Sequence, residues 1–177
     1  MQIISITTSK KHHSEESMKR IIASLLLVAT AGFAFGQALP KSADQIAKEK
    51  ALSKQVVEAT LASIKAVGLE ETIKLVNAKD ARFLKGDVYA VINGYDGSMP
   101  ANAGNPKLAG MKFSLDLKDA KGNPMRMIEI AKANPQGGEF EYWFSHPTLG
   151  KVLKKWCWIK EIPGGAGYVS VGIYLEN

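Results

Sequence analysis

The sequence predicts an α+β fold: a long N-terminal helix packed on a five-stranded antiparallel sheet, with a loop-and-helix segment inserted between the strands. Three observations predict it. A capping pattern at Ser42 opens an apolar repeat of helical spacing that runs to Gly68. Two β-patterned runs, 138–147 and 151–160, are joined by a short Pro/Gly connection and read as an antiparallel hairpin. A glycine-rich turn at 162–167 then leads into a last strand at 168–175. The chain has 177 residues, room for one domain, and its 46% hydrophobic and 23% charged content suits a globular core.

The beginning of the chain reads as a leader. Met18, Lys19 and Arg20 precede an apolar run at 21–35, and Ala34, Gly36 and Ala38 are small residues of the kind a signal peptidase reads. The run is shorter than the roughly 20 residues needed to span a bilayer, so a signal peptide is expected rather than an anchor. The polar stretch 1–17 does not fit the start of such a peptide, and Met18 is the expected natural start. The division is therefore 1–38, extension and signal peptide, and 39–177, one domain, exported to a periplasm. No later apolar stretch reaches membrane length.

Residues 1–38 carry four of the Lys/Arg and two of the Asp/Glu, so the net charge falls from +6 to +4 without them. The remaining basic residues are scattered, which argues against nucleic acid as a partner. Small anions suit this mild positive charge better.

Each element has a local cause. Ser42 and Gln45 have capping-box spacing, and Ile46, Leu52, Val56, Leu61 and Ile64 mark the apolar side of a helix over 43–67. Gly68 stops it, and 69–78 is a second, short helical piece. Residues 80–85 read as a polar connection, and 87–93 alternates as a strand. Asp96-Gly97 signals a turn into a short return strand at 98–101. A Gly/Asn/Pro loop follows at 102–110, running on into 111–117. After the turn at 119–124 comes a helix over 125–133, with Pro124 near its first position.

The hairpin holds all three tryptophans, the sole cysteine and the one histidine beyond the leader. Strand alternation puts Phe140, Tyr142 and Phe144 on one face, and separates Lys154, Trp156 and Trp158 from Lys155, Cys157 and Ile159 on the partner strand. Lys155 lies among aromatics, where an unpartnered ammonium is costly, so it is a candidate for a ligand carboxylate. Arg126 and Arg82 are the arginines beyond the leader, and a bidentate carboxylate clamp would use one of them; Arg126 on the inserted helix is better placed. A Cys–His nucleophile would need Cys157 and His146 side by side with the thiol activated. With one of each, and no clustered ligands for a metal, neither catalysis, a metal nor a cofactor is expected.

Seven pieces in order carry a resemblance: Asp87-Val-Tyr-Ala-Val-Ile-Asn93, Tyr95-Asp-Gly97, Asn105-Pro-Lys-Leu-Ala-Gly110, Leu117-Lys-Asp-Ala-Lys-Gly122, Glu141-Tyr-Trp143, Lys155-Trp-Cys-Trp158 and Val171-Gly-Ile-Tyr174. Together they resemble a single Cache domain over about 42–177. The resemblance implies a PAS-like extracytoplasmic sensor fold cupping a small carboxylate or amino acid. It implies a pocket lined by Tyr89, the loop at Asn102, Tyr142 and the strand from Lys155 to Trp158. Two departures stand out. Many relatives carry a histidine in the loop where this chain has Asn102, and Trp158 stands where a tyrosine is common.

The leading expectation is a non-catalytic domain that binds a small organic anion or amino acid through Tyr89, Asn102, Arg126, Tyr142, Lys155 and Trp158. No signalling module is read after Asn177, so output is expected to pass through a partner such as a membrane receptor or sensor kinase. The alternative is an interaction module with a vestigial pocket, docking on such a receptor. Pairing of two copies through the long helix is expected by analogy with sensor domains.

Overall fold

The first helix, α1 (Ala43–Val67), starts where Ser42 Oγ accepts the Gln45 amide at 3.2 Å. The reciprocal half of the capping box is absent, because Gln45 Nε2 donates to Glu49 Oε1 instead. Gly68, at φ +88°, ends the helix and gives its N–H to the Ile64 carbonyl; a side chain would strain that left-handed backbone. The chain turns directly into α2 (Leu69–Asn77). The buried stripe of α1 is Ser53, Val56, Val57, Thr60 and Ser63, with Leu52, Leu61 and Ile64 at its margins. Its hydroxyls are satisfied internally: Ser53 and Thr60 donate to carbonyls one turn back, and Ser63 pairs with Thr72 of α2 at 3.0 Å.

The computed structural model describes residues 40–146 and 149–176. The leader expected over 1–38, and Pro147 of the His-Pro turn, lie outside the described residues.

Nine strands follow among the described residues. They are β1 (Leu84–Lys85), β2 (Val88–Tyr89), β3 (Val91–Asn93), β4 (Ser98–Met99), β5 (Ala101–Asn102), β6 (Met111–Lys112), β7 (Gly138–Ser145), β8 (Val152–Glu161) and β9 (Tyr168–Tyr174). The helix α3 (Met125–Lys132) precedes β7. The main sheet has the order β5-β3-β9-β8-β7, antiparallel throughout. This is the α+β plan expected, with α1 packed on the sheet and the segment carrying α3 inserted ahead of β7.

Three local expectations are corrected. The strand over 87–93 is split at Ala90, whose N–H reaches the Phe83 carbonyl and whose carbonyl accepts from Ala103. The polar-looking 80–85 hides a core residue and a strand: Phe83 is fully buried, and β1 folds back on β2 around Gly86 at φ +61°. The return strand at 98–101 is broken by Pro100, which has no N–H to pair. Its first part, β4, pairs with β6 in a separate ribbon, and β5 joins the main sheet. Pro124 caps α3 next to its first position, as expected.

Both faces of the sheet are covered. Toward α1, Ile92, Trp156, Val169, Val171 and Ile173 meet Val56 and Val57. On the other face Phe140, Cys157, Ile159 and Tyr168 pack with Met125 of α3. Side chains alternate along each strand, so the register decides which residues share the second face. Tyr142 opposes Lys155, Phe140 opposes Cys157, Cys157 opposes Gly172, Ser170 opposes Val91, and Val91 opposes Asn102. These positions lie in neighbouring rows of one face that extends across all five strands. The cavity lies over that face.

Candidate functional site

The second face of the sheet is the floor of a cavity of ≈ 260 Å³. Met99 of β4 and Leu108, Phe113 and Leu117 of the segment that runs on to α3 supply an apolar cover, and Arg126 and Glu129 of α3 supply a charged corner. Tyr89, Asn102, Tyr142 and Lys155 line it as well. Five of the six residues singled out in the sequence thus border one space.

Trp158 does not. It stands opposite Glu139 and Val171, packs with the cluster against α1, and lies under Lys54 Nζ at 4.2 Å from its ring centroid. Lys50 sits likewise 4.6 Å from Trp156. The alternation of β8 already separates Trp158 from Lys155, so placing both in one pocket was incompatible with an unbulged strand.

Lys155 is a buried cation of the cavity, with 6% of its surface exposed. Its Nζ lies 4.6 Å from the Tyr174 ring centroid and 5.8–5.9 Å from those of Tyr142, Tyr89 and Phe144. It makes no ion pair among the described residues. Ring faces attract an ammonium but do not replace the hydrogen bonds it has in water. Burial accordingly pushes its pKa down, partly opposed by Cys157 and Glu129. A carboxylate brought into the cavity would reverse that.

Arg126 is differently placed from the clamp expected. Its Nη1 donates to Glu129 Oε2 at 2.7 Å, Tyr168 Oη at 2.8 Å and Asn93 Oδ1 at 3.2 Å. Asn93 Nδ2 in turn donates to Ser170 Oγ at 3.0 Å. The guanidinium is therefore held through Nη1 by α3, β3 and β9 together, while its Nε is buried and unbonded. Burial raises the Glu129 pKa, with Arg126 opposing. Arginine keeps its proton in proteins, so the carboxylate beside it balances a fixed charge. Sequence reasoning missed Glu129 and Asn93. Glu129 stands three residues after Arg126, the spacing at which helical side chains meet; that was the available signal.

Asn102 is buried, its Oδ1 accepting the Asn105 amide at 2.8 Å and its Nδ2 near Met99 Sδ at 3.5 Å. Tyr142 is held neutral by burial, which raises its pKa well above the ordinary phenol value. Gly172 lies beneath both polar tips: a Cβ there would come 3.3 Å from Lys155 Nζ and 3.3 Å from Tyr142 Oη. A smaller cavity of ≈ 150 Å³ shares Tyr89, Lys155 and Gly172 with the first, so Lys155 stands in a common wall.

Cys157 faces the cavity, but burial raises its pKa and keeps it a thiol. It opposes Phe140, whereas His146 pairs with Lys151 beyond the end of β7. Six strand residues separate these registers, about 20 Å at strand rise. The two do not form a nucleophile–base pair.

Three solved structures share this architecture. A methyl-accepting chemotaxis protein from Vibrio parahaemolyticus aligns with a TM-score of 0.58 at 19% identity, over 74% of this chain and 91% of its own. The periplasmic sensor domain of a chemotaxis protein aligns at 0.55 and 19%, over 75% and 96%. A Cache chemosensory domain described as recognising carboxylic acids aligns at 0.52 and 16%, over 76% and 99%. No curated protein matches the sequence. The family described as Cache domain matches residues 1–177, and with the sheet, covering helix and cavity now described, the chain belongs to the Cache domain family.

Proposed function

We propose that this chain is an extracytoplasmic ligand-binding sensor domain whose cavity captures a small carboxylate. The observation that carries the proposal is Lys155, a buried ammonium with aromatic neighbours and no ion pair among the described residues, on the wall of a cavity of ≈ 260 Å³. A ligand carboxylate supplies the anion that this lysine lacks. Tyr142 and Tyr89 border the polar end, and Phe140, Phe113 and the cover segment keep water from the pair.

The volume sits just below the roughly 300–1,000 Å³ of drug-sized pockets, which suits a ligand of a few carbon atoms. The carboxylic-acid recognition described for a structural neighbour supports the same class. Among the described residues no helix is long and apolar enough to cross a membrane, and the family is one of extracytoplasmic sensors. Export through the 1–38 leader, relay to a membrane receptor or sensor kinase, and pairing of copies through α1 complete the proposal.

The test is a thermal-shift and calorimetric screen of the purified full chain against short carboxylates and amino acids, with Lys155→Met alongside. Stabilisation by carboxylates that disappears in Lys155→Met is expected. A folded wild-type chain that no carboxylate stabilises at millimolar concentration would overturn the reading.

A further inference from the structure

The charges around the cavity are unequal in their commitments. Arg126 and Glu129 are both buried and joined at 2.7 Å, and Tyr168 and Asn93 take the remaining capacity of the same guanidinium nitrogen. The pair is internally balanced. Among the described lining residues the other charged group is Lys155. On its far side, the smaller cavity brings Lys41, Glu49, Asp87, His146 and Glu176 near. Lys41 is tied to Glu49 at 2.7 Å, and none of these groups forms an ion pair with Lys155.

We propose that Glu129 is a specificity-determining residue: by balancing Arg126 it leaves Lys155 as the one uncompensated cation, so the cavity takes a monocarboxylate with an uncharged remainder and rejects dicarboxylates and zwitterionic amino acids. This rests on the carboxylate reading given above. The second carboxylate of a diacid would be buried without a cation, and an α-ammonium would be buried beside Lys155 with only Glu129 to meet it. That carboxylate already serves Arg126. An unpaired buried charge is strongly disfavoured, whereas the apolar cover of Met99, Leu108 and Phe113 fits an aliphatic remainder.

Calorimetry on the full chain with ligands of one carbon skeleton decides it: butyrate, succinate and 2-aminobutyrate, with propionate and malonate as shorter controls. Monocarboxylates are expected to bind at least about tenfold more tightly than the diacids and the amino acid, 1.4 kcal/mol per tenfold. A diacid or 2-aminobutyrate binding as tightly as butyrate overturns this inference and leaves the carboxylate reading standing. Silence from every ligand overturns both. Glu129→Gln supplies the second arm. With Arg126 released, succinate is expected to gain at least about tenfold over butyrate and to raise the melting temperature of the variant more. A folded Glu129→Gln chain with unchanged selectivity removes Glu129 from the assignment. Should that variant not fold, the wild-type series alone decides the ligand's charge.

Discussion

Lys155 and Trp158, three residues apart on β8, face opposite sides of the sheet: the lysine looks into the cavity and the tryptophan packs under α1. One strand therefore serves two functions. Its positions Lys155 and Cys157 line the cavity, and its positions Trp156 and Trp158 build the core that holds this face in place.

Replacing Lys155 by Met separates stability from recognition. The empty protein is expected to gain about 1–3 kcal/mol, because a buried ammonium without a carboxylate gives way to an isosteric apolar chain. Carboxylate affinity should fall roughly 10- to 100-fold through loss of a charge-assisted bond. Denaturant melts and titrations of the same two proteins check both. The wild-type affinity should also decline as pH rises through a midpoint below lysine's ordinary 10.5, since burial lowers the Lys155 pKa and only the protonated form attracts the anion.

Trp158→Phe tests the reassignment of that residue. A loss of about 1–2 kcal/mol is expected from removed buried surface, with ligand affinity of the folded protein unchanged. Gly137→Ala should do the same more severely, by about 2 kcal/mol or more. Its φ is +90°, and the added Cβ would meet the Trp158 ring at 2.4 Å. An affinity change in folded Trp158→Phe would return the tryptophan to the binding site.

Breaking the Arg126–Glu129 pair from one side should be worse than removing it. Arg126→Met leaves a buried carboxylate alone and is expected to destabilise by about 3–5 kcal/mol; Arg126→Met with Glu129→Leu should recover a large part of that. A double-mutant cycle in urea measures the coupling.

Asp119 gives an acid-side prediction. Burial opposes its charge, but bonds from the Asn123 side chain and from the backbone N–H groups of Asn123, Trp143 and Lys121 lower its pKa from 3.8 to about 2. A depressed carboxyl pKa adds stability that is fully present above the unfolded value near 3.8 and is lost as pH falls through 2. Melting temperatures taken between pH 5 and 2 should drop steeply at the low end. Asp119→Asn should flatten that drop and loosen the tie between the 119–123 turn and the edge strand β7.

How far the sequence was legible depends on whether the signal was periodic. The helix over 43–67, its stop at Gly68 and the β7–β8–β9 order follow from spacing and turn residues, and they stand as read. Alternation also put Tyr142 and Lys155 on cross-strand faces that proved to be the same one. What it could not supply was register between distant strands, which brings Asn102 of β5 and Tyr142 of β7 over one floor. Short strands of two or three residues carry too little pattern to be read, so β1 and β6 were missed. The commitment of Arg126 was invisible for a different reason. Its partners Asn93 and Tyr168 are distant in sequence, and only Glu129 lies within a helical turn.

The bare position at Gly172 has its own consequence. The ammonium of Lys155 and the hydroxyl of Tyr142 converge above a stretch of main chain that presents nothing but a hydrogen atom. The room at the polar end of the cavity is thus set from beneath, by a residue with no functional group. One methyl added there would crowd Lys155 Cε at 3.1 Å and push both polar tips further into the cavity, so the room above can be retuned by its floor rather than by its walls.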